Sequence, residues 1–137
     1  MNIQGGCLCR AVRYESSAAP IMTRVCWCRV CQYVAAGSGT VNVFFKTESL
    51  SIHGNTQDYS SIADSGNVIH RRFCPHCGTP LFTAAEVRPH LIAVRAGTLD
   101  DPNLVQPAVT IWTSAAPHWA CIAQSLPQVE RQPPPVA

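Results

Sequence analysis

Seven of the eight cysteines in this chain stand in three short clusters whose spacing is typical of metal ligands. The clusters are Cys7-Leu8-Cys9, Cys26-Trp27-Cys28-Arg29-Val30-Cys31 and Cys74-Pro75-His76-Cys77-Gly78. In the third cluster two thiolates separated by two residues can face one metal, while the proline fixes the turn and the glycine takes the positive φ that follows. A redox CxxC normally opens a helix, whereas Pro80 and a strand-like segment follow here, so the sequence favours zinc.

A closed structural zinc site needs four ligands, and the CPxCG turn supplies two of them. Cys7 and Cys9 lie between a glycine pair and the first expected strand, and they are a suitable second pair. The remaining triplet would then offer three thiolates and one open position, which is the layout of a reactive zinc. Spacing alone also allows a closed triplet site completed by Cys121 or a histidine, and it allows other groupings of the seven cysteines.

An open zinc site with three thiolates favours chemistry at sulfur. The centre carries a net charge of about −1 and prefers soft ligands, so an incoming thiol would be held as a thiolate near neutral pH. Such a thiolate can add to, or leave, the carbon of a small carbonyl compound. Arg24 and Arg29 flank the triplet and either offset its charge, hold a substrate carboxylate, or are simply solvated.

Composition limits the alternatives. The 137 residues suit one domain, but only 13% are charged and 7% aromatic, so bound metal is expected to supplement the core. The formal charge of +2 would become about −1 with seven thiolates and two Zn(II) ions, and the arginines are scattered along the chain. We therefore expect no nucleic-acid partner.

The sequence predicts a cytoplasmic protein. No secretory leader is visible before Cys7, and no apolar run approaches the roughly 18 residues that a membrane span needs. Cytoplasmic thiols stay reduced and are available to metal, and no membrane partner is expected.

The pattern along the chain is that of an all-β protein with about eight short strands and only short helical turns. Strands are predicted at 11–15, 21–25, 41–45, 50–54, 58–62, 68–73, 80–83, 91–96 and 108–113. Val41, Val43 and Phe45 alternate on one face of their strand, and 50–54 with 58–62 is predicted to form a hairpin around Asn55. Helical turns are predicted at 33–36 and 84–87. Residues 1–125 are predicted to form one zinc domain, followed by a Pro-rich, disordered tail at 126–137.

In their order and flanks, the cysteine clusters resemble the glutathione-dependent formaldehyde-activating enzyme family, which includes centromere protein V. The resemblance covers residues 3–122. It rests on Gly6-Cys7-Leu8-Cys9 with Ala11-Val12-Arg13-Tyr14, the triplet, Arg72-Phe73-Cys74-Pro75-His76-Cys77-Gly78-Thr79-Pro80-Leu81, and Ile111-Trp112-Thr113-Ser114-Ala115-Ala116-Pro117-His118-Trp119.

This resemblance implies several small, coiled antiparallel sheets around two zinc sites, as in the Mss-four-like fold. It implies a carbon–sulfur lyase acting on the thiol adduct of a small carbonyl compound, with glutathione as a co-substrate. The implied structural zinc ligands are Cys7, Cys9, Cys74 and Cys77. The implied catalytic zinc ligands are Cys26, Cys28 and Cys31.

Two residues of the triplet region differ from the family pattern. Trp27 stands where the family usually has histidine, and Gln32 stands where it often has arginine. A polar, charged flank has thus become bulkier and neutral. We expect a thiol to bind at the triplet, but with weak or absent acceleration of glutathione–formaldehyde adduct formation.

The remaining candidates outside the clusters are weaker. Trp112 and Trp119 are expected to be buried core residues rather than cleft walls, and Cys121 a small buried apolar residue. His118 is expected to be structural or exposed rather than an acid or base. The residues that follow the triplet form either a turn or a loop that admits substrate: Tyr33, Gly37, Ser38 and Gly39.

Two other functional classes remain open from the sequence. One is a zinc-stabilised module that binds protein or nucleic acid, with both metals structural. The other, less favoured, is a metal-free thiol-redox protein that uses the triplet. A fourth protein ligand at the triplet would indicate the binding module, whereas an open position would indicate the enzyme.

Overall fold

The computed structural model describes residues 2–136, which form eleven strands and one short helix. The strands are β1 Ile3–Gly6, β2 Arg13–Ser16, β3 Met22–Cys26, β4 Thr40–Lys46, β5 Leu50–His53, β6 Gln57–Ile62, β7 Val68–Phe73, β8 Pro80–Ala85, β9 Leu91–Arg95, β10 Val109–Ile111 and β11 Gln128–Val129. The helix α1 is Arg29–Val34, and short 3-10 turns occur at Thr47–Ser49, Ala96–Thr98, Pro102–Leu104 and Thr113–Ala115. The predicted all-β class is confirmed.

The strands form two sheets. The smaller has three strands in the order β1-β2-β5, and the larger has eight in the order β11-β10-β3-β4-β9-β8-β7-β6. All pairings are antiparallel except those of β10, which runs parallel to both β3 and β11. The C-terminal part of the chain thereby returns to the side of β3, the strand that leads into the cysteine triplet.

The main hydrophobic core combines the smaller sheet with one face of the larger sheet. As the alternation in the sequence predicts, Val43 and Phe45 of β4 are fully buried in this core. Tyr14 of the smaller sheet packs edge-to-face on Phe82 of the larger sheet, with ring centroids 5.4 Å apart. The opposite face of the larger sheet, which carries Asn42, does not contribute to this core.

Strand β1 was not among the predicted strands, and Gly5 shows why it is hard to see. This glycine lies opposite Tyr14, and a Cβ atom at its position would come within 2.4 Å of the Tyr14 hydroxyl and of the Thr98 carbonyl oxygen. Only glycine allows so close an approach, although its sequence signal is that of a loop.

The predicted hairpin around Asn55 is wrong. Strand β5 pairs with β2 in the smaller sheet, and β6 pairs with β7 in the larger one. The chain leaves the smaller sheet at Gly54, which has a φ of +99°. A turn signal between two strand-like segments therefore marks a crossing between sheets, because long-range partners compete with the local pairing.

The predicted helical turn at 84–87 is also wrong at its first two residues. Ala84 and Ala85 belong to β8 and pair with His70 and Ile69 of β7. Alanine favours helix by intrinsic propensity, but pairing with a neighbouring strand overrides that preference. The turn predicted at 33–36 overlaps α1, which begins earlier, at Arg29.

The segment 126–137, for which composition predicts disorder, contains β11 in its described part. The ends of the two predicted ranges, Met1 and Ala137, lie outside the described residues. Within residues 2–136, no helix has the length and apolar character needed to cross a membrane.

Candidate metal centres and the cavity beside them

Four cysteines from two distant turns meet at one point. Cys7 and Cys9 lie between β1 and β2, Cys74 and Cys77 lie between β7 and β8, and their sulfurs are all within 4.8 Å of one another. The sulfur of Cys9 is 3.6 Å from that of Cys7 and 3.8 Å from that of Cys74. A tetrahedron with zinc–sulfur bonds of about 2.3 Å has edges of about 3.8 Å, so the set fits zinc.

Hydrogen-bond donors lie next to three of these sulfurs. The amide of Val12 donates to Cys7 Sγ over 3.2 Å, and the amide of Cys77 donates to Cys74 Sγ over 3.5 Å. The hydroxyl of Thr79 donates to Cys77 Sγ over 3.1 Å and lowers the pKa of that thiol to about 5. The amide of Ala11 acts to lower the pKa of Cys9, but desolvation and the contacts with the other three sulfurs raise it to about 12, so the four thiols differ in proton affinity.

The second cluster combines a strand end with a helix start. Cys26 is the last residue of β3, Cys28 is the N-cap of α1, and Cys31 lies in the first turn of α1. Their three sulfurs lie within 4.8 Å of one another, and the amide of Cys31 donates to Cys28 Sγ over 3.3 Å. Strand β3 ends here because Cys28 begins the helix, so the three sulfurs converge on one side of the junction.

Three sulfurs alone make up this triplet. Within residues 2–136, no histidine, aspartate, glutamate or further cysteine joins the group as a fourth ligand. Cys121, which sequence reasoning offered as a fourth ligand or a small buried residue, is exposed and outside it. The donor set fits a zinc ion that keeps one position for an external ligand.

The pKa values of the three triplet thiols shift in different directions. The thiols of Cys26 and Cys28 hydrogen-bond to the sulfur of Cys31 and lower its pKa to about 3. Hydrogen bonds to Cys28 first and to Cys31 second raise the pKa of Cys26, because its thiol donates its proton to these sulfurs. The three sulfurs are therefore close enough to titrate as one coupled group.

A cavity of about 330 Å³ lies against the triplet, within the size range of small-molecule sites. Its floor is the face of the larger sheet that points away from the main core. Polar and charged lining residues are Arg24, Asn42, Asp64, Ser65, Asn67, Arg71, Thr83, Arg88 and Arg95. Apolar walls come from Phe44, Ile69, Leu91, Ile111 and Trp112, and the C-terminal segment adds Gln132, Pro133, Pro135 and Val136.

Three of the polar lining residues form a row across neighbouring strands. Arg24 of β3 lies opposite Asn42 of β4, which lies opposite Arg95 of β9. The Asn42 amide oxygen accepts a hydrogen bond from Arg95 over 2.5 Å, and the Asn42 nitrogen donates to Thr40 over 3.1 Å. Burial lowers the pKa of Arg24 and of Arg95, although guanidinium groups stay protonated in proteins.

Trp27 and Gln32, the two residues that differ from the family pattern, are both buried and outside the cavity lining. The Trp27 ring packs near Gly39, where a Cβ atom would be 3.1 Å from Cε2. The Gln32 side chain donates to the carbonyls of Trp27 and Ala115 over 2.8 and 3.0 Å. Both residues therefore pack around the triplet on sides that do not face the cavity.

The other predicted candidates are dispersed. Trp112 is partly buried against the small cluster of Cys26, Cys28 and Ile111, and it also lines the cavity, where its Nε1 donates to Gln132 over 2.9 Å. Trp119 is 71% exposed, and the prediction that it is buried is wrong, as is the corresponding prediction for Cys121. Both lie in the strand-free stretch after Thr113–Ala115, which has no sheet to bury them.

Arg29 stacks over Tyr33 on the helix surface and does not line the cavity. His118 is exposed and also outside the lining, in agreement with its expected role. The loop residues after the triplet, Gly37, Ser38 and Gly39, do not line the cavity either, so they form a turn and do not admit substrate there.

Sequence reasoning missed Asn42, Arg71, Arg88 and Arg95 as cavity residues. The only local signal is strand alternation, because placing Val43 and Phe45 in the core points Asn42 to the other face. The arginines reach the same cavity through the strand order, for which a single strand carries no signal.

Comparison with known proteins supports the family suggested by the clusters. Residues 2–115 match the family model described as glutathione-dependent formaldehyde-activating enzyme. Comparison with curated proteins gives no match. A crystal structure of a Rhodobacter sphaeroides protein is similar, with a TM-score of 0.57 and 21% identity over 76% of this chain and 91% of that one. That likeness shows the fold, whereas the family match covers most of the chain and both cysteine clusters. This chain belongs to the glutathione-dependent formaldehyde-activating enzyme family.

Proposed function

We propose that this protein is a zinc-dependent enzyme of the carbon–sulfur lyase type, acting in the cytoplasm on the thiol adduct of a small carbonyl compound. In this proposal Cys26, Cys28 and Cys31 hold a catalytic zinc. Cys7, Cys9, Cys74 and Cys77 hold a structural zinc. The observation that supports it best is the triplet's position, with three donor sulfurs against a cavity of about 330 Å³.

The reaction class follows from the donor set and the cavity. Zinc bound at the triplet would lower the pKa of an incoming thiol and supply it as a thiolate. In adduct formation, a bond forms between the thiol sulfur and the carbonyl carbon, and the proton lost by the thiol goes to the carbonyl oxygen. The lyase direction breaks that bond and returns the proton to sulfur, so no oxidant or reductant is required.

The chain's own residues supply position and environment. The β3–α1 junction fixes the three sulfurs at one end of the cavity. Phe44, Ile111 and Trp112 provide apolar walls that exclude water from the reacting atoms. Arg24 and Arg95 stabilise negative charge at the sulfurs, since their positive charges act on Cys26 and Cys31.

The contacts of the triplet favour the enzyme over a binding module with two structural metals. A closed site needs a fourth protein ligand, and within residues 2–136 no such donor joins the triplet. The four-cysteine cluster, by comparison, is complete. A small thiol is therefore the proposed partner, and glutathione is the first candidate because of the family.

Cobalt substitution tests this function. Addition of glutathione to the protein loaded with two Co(II) ions should change the thiolate-to-metal absorption bands, because one site can accept an exogenous thiol. The Cys28→Ser variant, loaded with cobalt at the four-cysteine site, is the matched control and should not respond. A wild-type spectrum that is insensitive to every thiol tested would contradict the enzyme and favour the binding module.

The reaction itself is measured by the rate of adduct formation from glutathione and formaldehyde, followed by NMR with and without the zinc protein. The expected acceleration is weak, because Trp27 and Gln32 replace the residues usual in the family. A strong acceleration would show that these replacements are harmless, and would identify formaldehyde and glutathione as good substrates.

A further inference from the structure

Two arginines of the cavity stand side by side at a distance that suits one small anion. Arg24 and Arg95 flank Asn42 in a single row, and neighbouring strands lie about 4.8 Å apart, so the two Cα atoms are about 10 Å apart. Paired residues of antiparallel strands project to the same face. The two long side chains can therefore reach one group above Asn42.

This row lies close to the triplet. Arg24 precedes Cys26 by two residues on β3, which places both on the same face of the sheet about 7 Å apart along the strand. A ligand whose sulfur meets the triplet therefore lies on the face of the sheet that carries the row.

The two guanidinium groups lack acceptors. Among residues 2–136, the guanidinium group of Arg24 donates no hydrogen bond and packs over the Phe44 ring, with Cζ 4.8 Å from the ring centroid. The guanidinium group of Arg95 donates one hydrogen bond, to Asn42. The Nε atom of each is buried without a partner. Donors left unpaired in a buried place are costly, and a ligand that brings oxygen acceptors to the remaining N–H groups would offset part of that cost.

The charge of the cavity also favours an anionic ligand. Four guanidinium groups line it, those of Arg24, Arg71, Arg88 and Arg95, and the carboxylate of Asp64 is the one acidic side chain of the lining. None of the four arginines forms an ion pair with a described side chain. Three thiolates with a divalent metal add a charge of about −1, which leaves the cavity with an excess of positive charge.

From this geometry we infer that Arg24 and Arg95 form a carboxylate subsite, which selects thiols that carry a carboxylate two or three carbons from the sulfur. Asn42 positions Arg95 within this subsite by accepting its hydrogen bond. Paired N–H donors of guanidinium match the two oxygens of a carboxylate, and a neutral thiol of equal size leaves these donors unpaired. The inference rests on the proposed function for its thiol part, and on the arginine row for its carboxylate part.

A matched pair of ligands tests the subsite in the unmodified protein. The zinc-loaded protein is titrated with 3-mercaptopropionate and, separately, with its neutral amide, 3-mercaptopropionamide, and binding is measured by calorimetry. We expect the carboxylate to bind about 10- to 100-fold more tightly, because hydrogen bonds between charged groups are the stronger ones. Equal affinities would overturn the subsite, although cobalt bands that respond to both thiols would still support the function.

Substitution of single arginines shows which residue is responsible for the preference for the carboxylate. Arg24→Gln should weaken 3-mercaptopropionate about 10-fold or more beyond any effect on the amide, which shares the thiolate but lacks the carboxylate. Arg29→Gln removes the same charge from the residue after Cys28, yet lies outside the cavity, and should leave the ratio between the two ligands as in the wild type. A ratio that falls equally in both variants would show a general charge effect and overturn the assigned row.

A third ligand separates this inference from the proposed function. Propionate has the carboxylate but no sulfur. If propionate binds weakly to the wild type and its binding is lost in Arg24→Gln, the subsite holds even where cobalt bands fail to respond to any thiol. If thiols change the cobalt bands while propionate and the charge of the thiol have no effect, the function holds and the subsite is wrong.

Discussion

At the scale of single residues, Gln32 explains how this chain tolerates a departure from the family pattern beside the cysteine triplet. Its amide nitrogen joins the Trp27 carbonyl before α1 to the Ala115 carbonyl after β10, and its oxygen accepts from Arg29 over 2.5 Å. Every polar atom of this buried side chain is used. Gln32 thus connects the helix of the triplet to the strand region that carries Trp112.

Replacing Gln32 should therefore weaken the fold around the triplet. Gln32→Ala leaves two buried carbonyls without this donor, and we expect a loss of about 1–3 kcal/mol in the free energy of unfolding. Gln4→Ala, at an exposed position of β1, is the control and should change it by less than about 0.5 kcal/mol. Urea unfolding measures both; equal effects would mean that the Gln32 contacts contribute nothing specific.

At the scale of elements, the outer strands of the larger sheet carry a charged cluster on their surface. His70 of β7 contacts Asp58 of β6 over 2.8 Å and Glu86, just after β8, over 3.4 Å. The hydrogen bond with Asp58 raises the pKa of His70, and the contact with Glu86 raises it further. The cluster joins β6, an edge strand, to β7 and to the end of β8.

This cluster should make the edge of the sheet sensitive to pH. Because the pKa of His70 is higher in the folded than in the unfolded protein, protonation stabilises the fold. The contribution is complete below the unfolded pKa of about 6.5 and is lost as pH rises through the folded value. We expect the stability difference between the wild type and His70→Gln to be larger at pH 5 than at pH 9, and small at both because the cluster is exposed.

The measurement is an NMR titration of His70 together with thermal unfolding at the two pH values. In Asp58→Asn the pKa of His70 should fall toward its ordinary value, whereas His53→Gln should leave it unchanged. A His70 pKa unaffected by Asp58→Asn would contradict the ion pair.

At the scale of the whole molecule, the four-cysteine cluster links the two sheets. Cys7 and Cys9 follow β1 of the smaller sheet, and Cys74 and Cys77 follow β7 of the larger sheet. Cys7 and Cys74 are both buried in the main core. The triplet, by contrast, uses residues 26–31 alone and closes no long loop, so the two clusters should differ in their contribution to stability.

Cys77→Ser should accordingly give a poorly folded protein. A closed zinc site contributes about 10–16 kcal/mol of apparent binding free energy in zinc peptides, which is comparable to the net stability of a domain. Cys28→Ser should lose about one metal per chain but keep a cooperative thermal transition. Metal analysis with thermal unfolding compares the two variants; unfolding of both to the same degree would place the triplet in the structural class.

The C-terminal segment also connects distant parts of the whole molecule, because it lines one part of the cavity. Strand β11 pairs with β10, and from there Gln132, Pro133, Pro135 and Val136 pass along the opening. The hydrogen bond from Trp112 to Gln132 joins this segment to the cavity wall. A stretch with the composition of a linker therefore forms part of the cavity lining in this fold.

Most of the strands could be predicted from the sequence, because each is a local pattern. Alternation placed Val43 and Phe45 in the core. The hairpin around Asn55 and the first half of the turn at 84–87 were wrong because both depend on which other strand offers a partner. Gly5 carries no strand signal, since its suitability lies in a contact with Tyr14 across the sheet.

The sequence by itself determined the family and the chemistry available to it. Spacing within each cysteine cluster limits which sulfurs can share a metal, because ligands one to three residues apart are held together by the chain itself. The charge of the cavity was decided by the tertiary structure alone. Arg24 and Arg95 are 71 positions apart, and they become neighbours only because β9 pairs with β4 and β4 with β3. Such pairing depends on the burial of the whole opposite face of the sheet, which no single segment encodes.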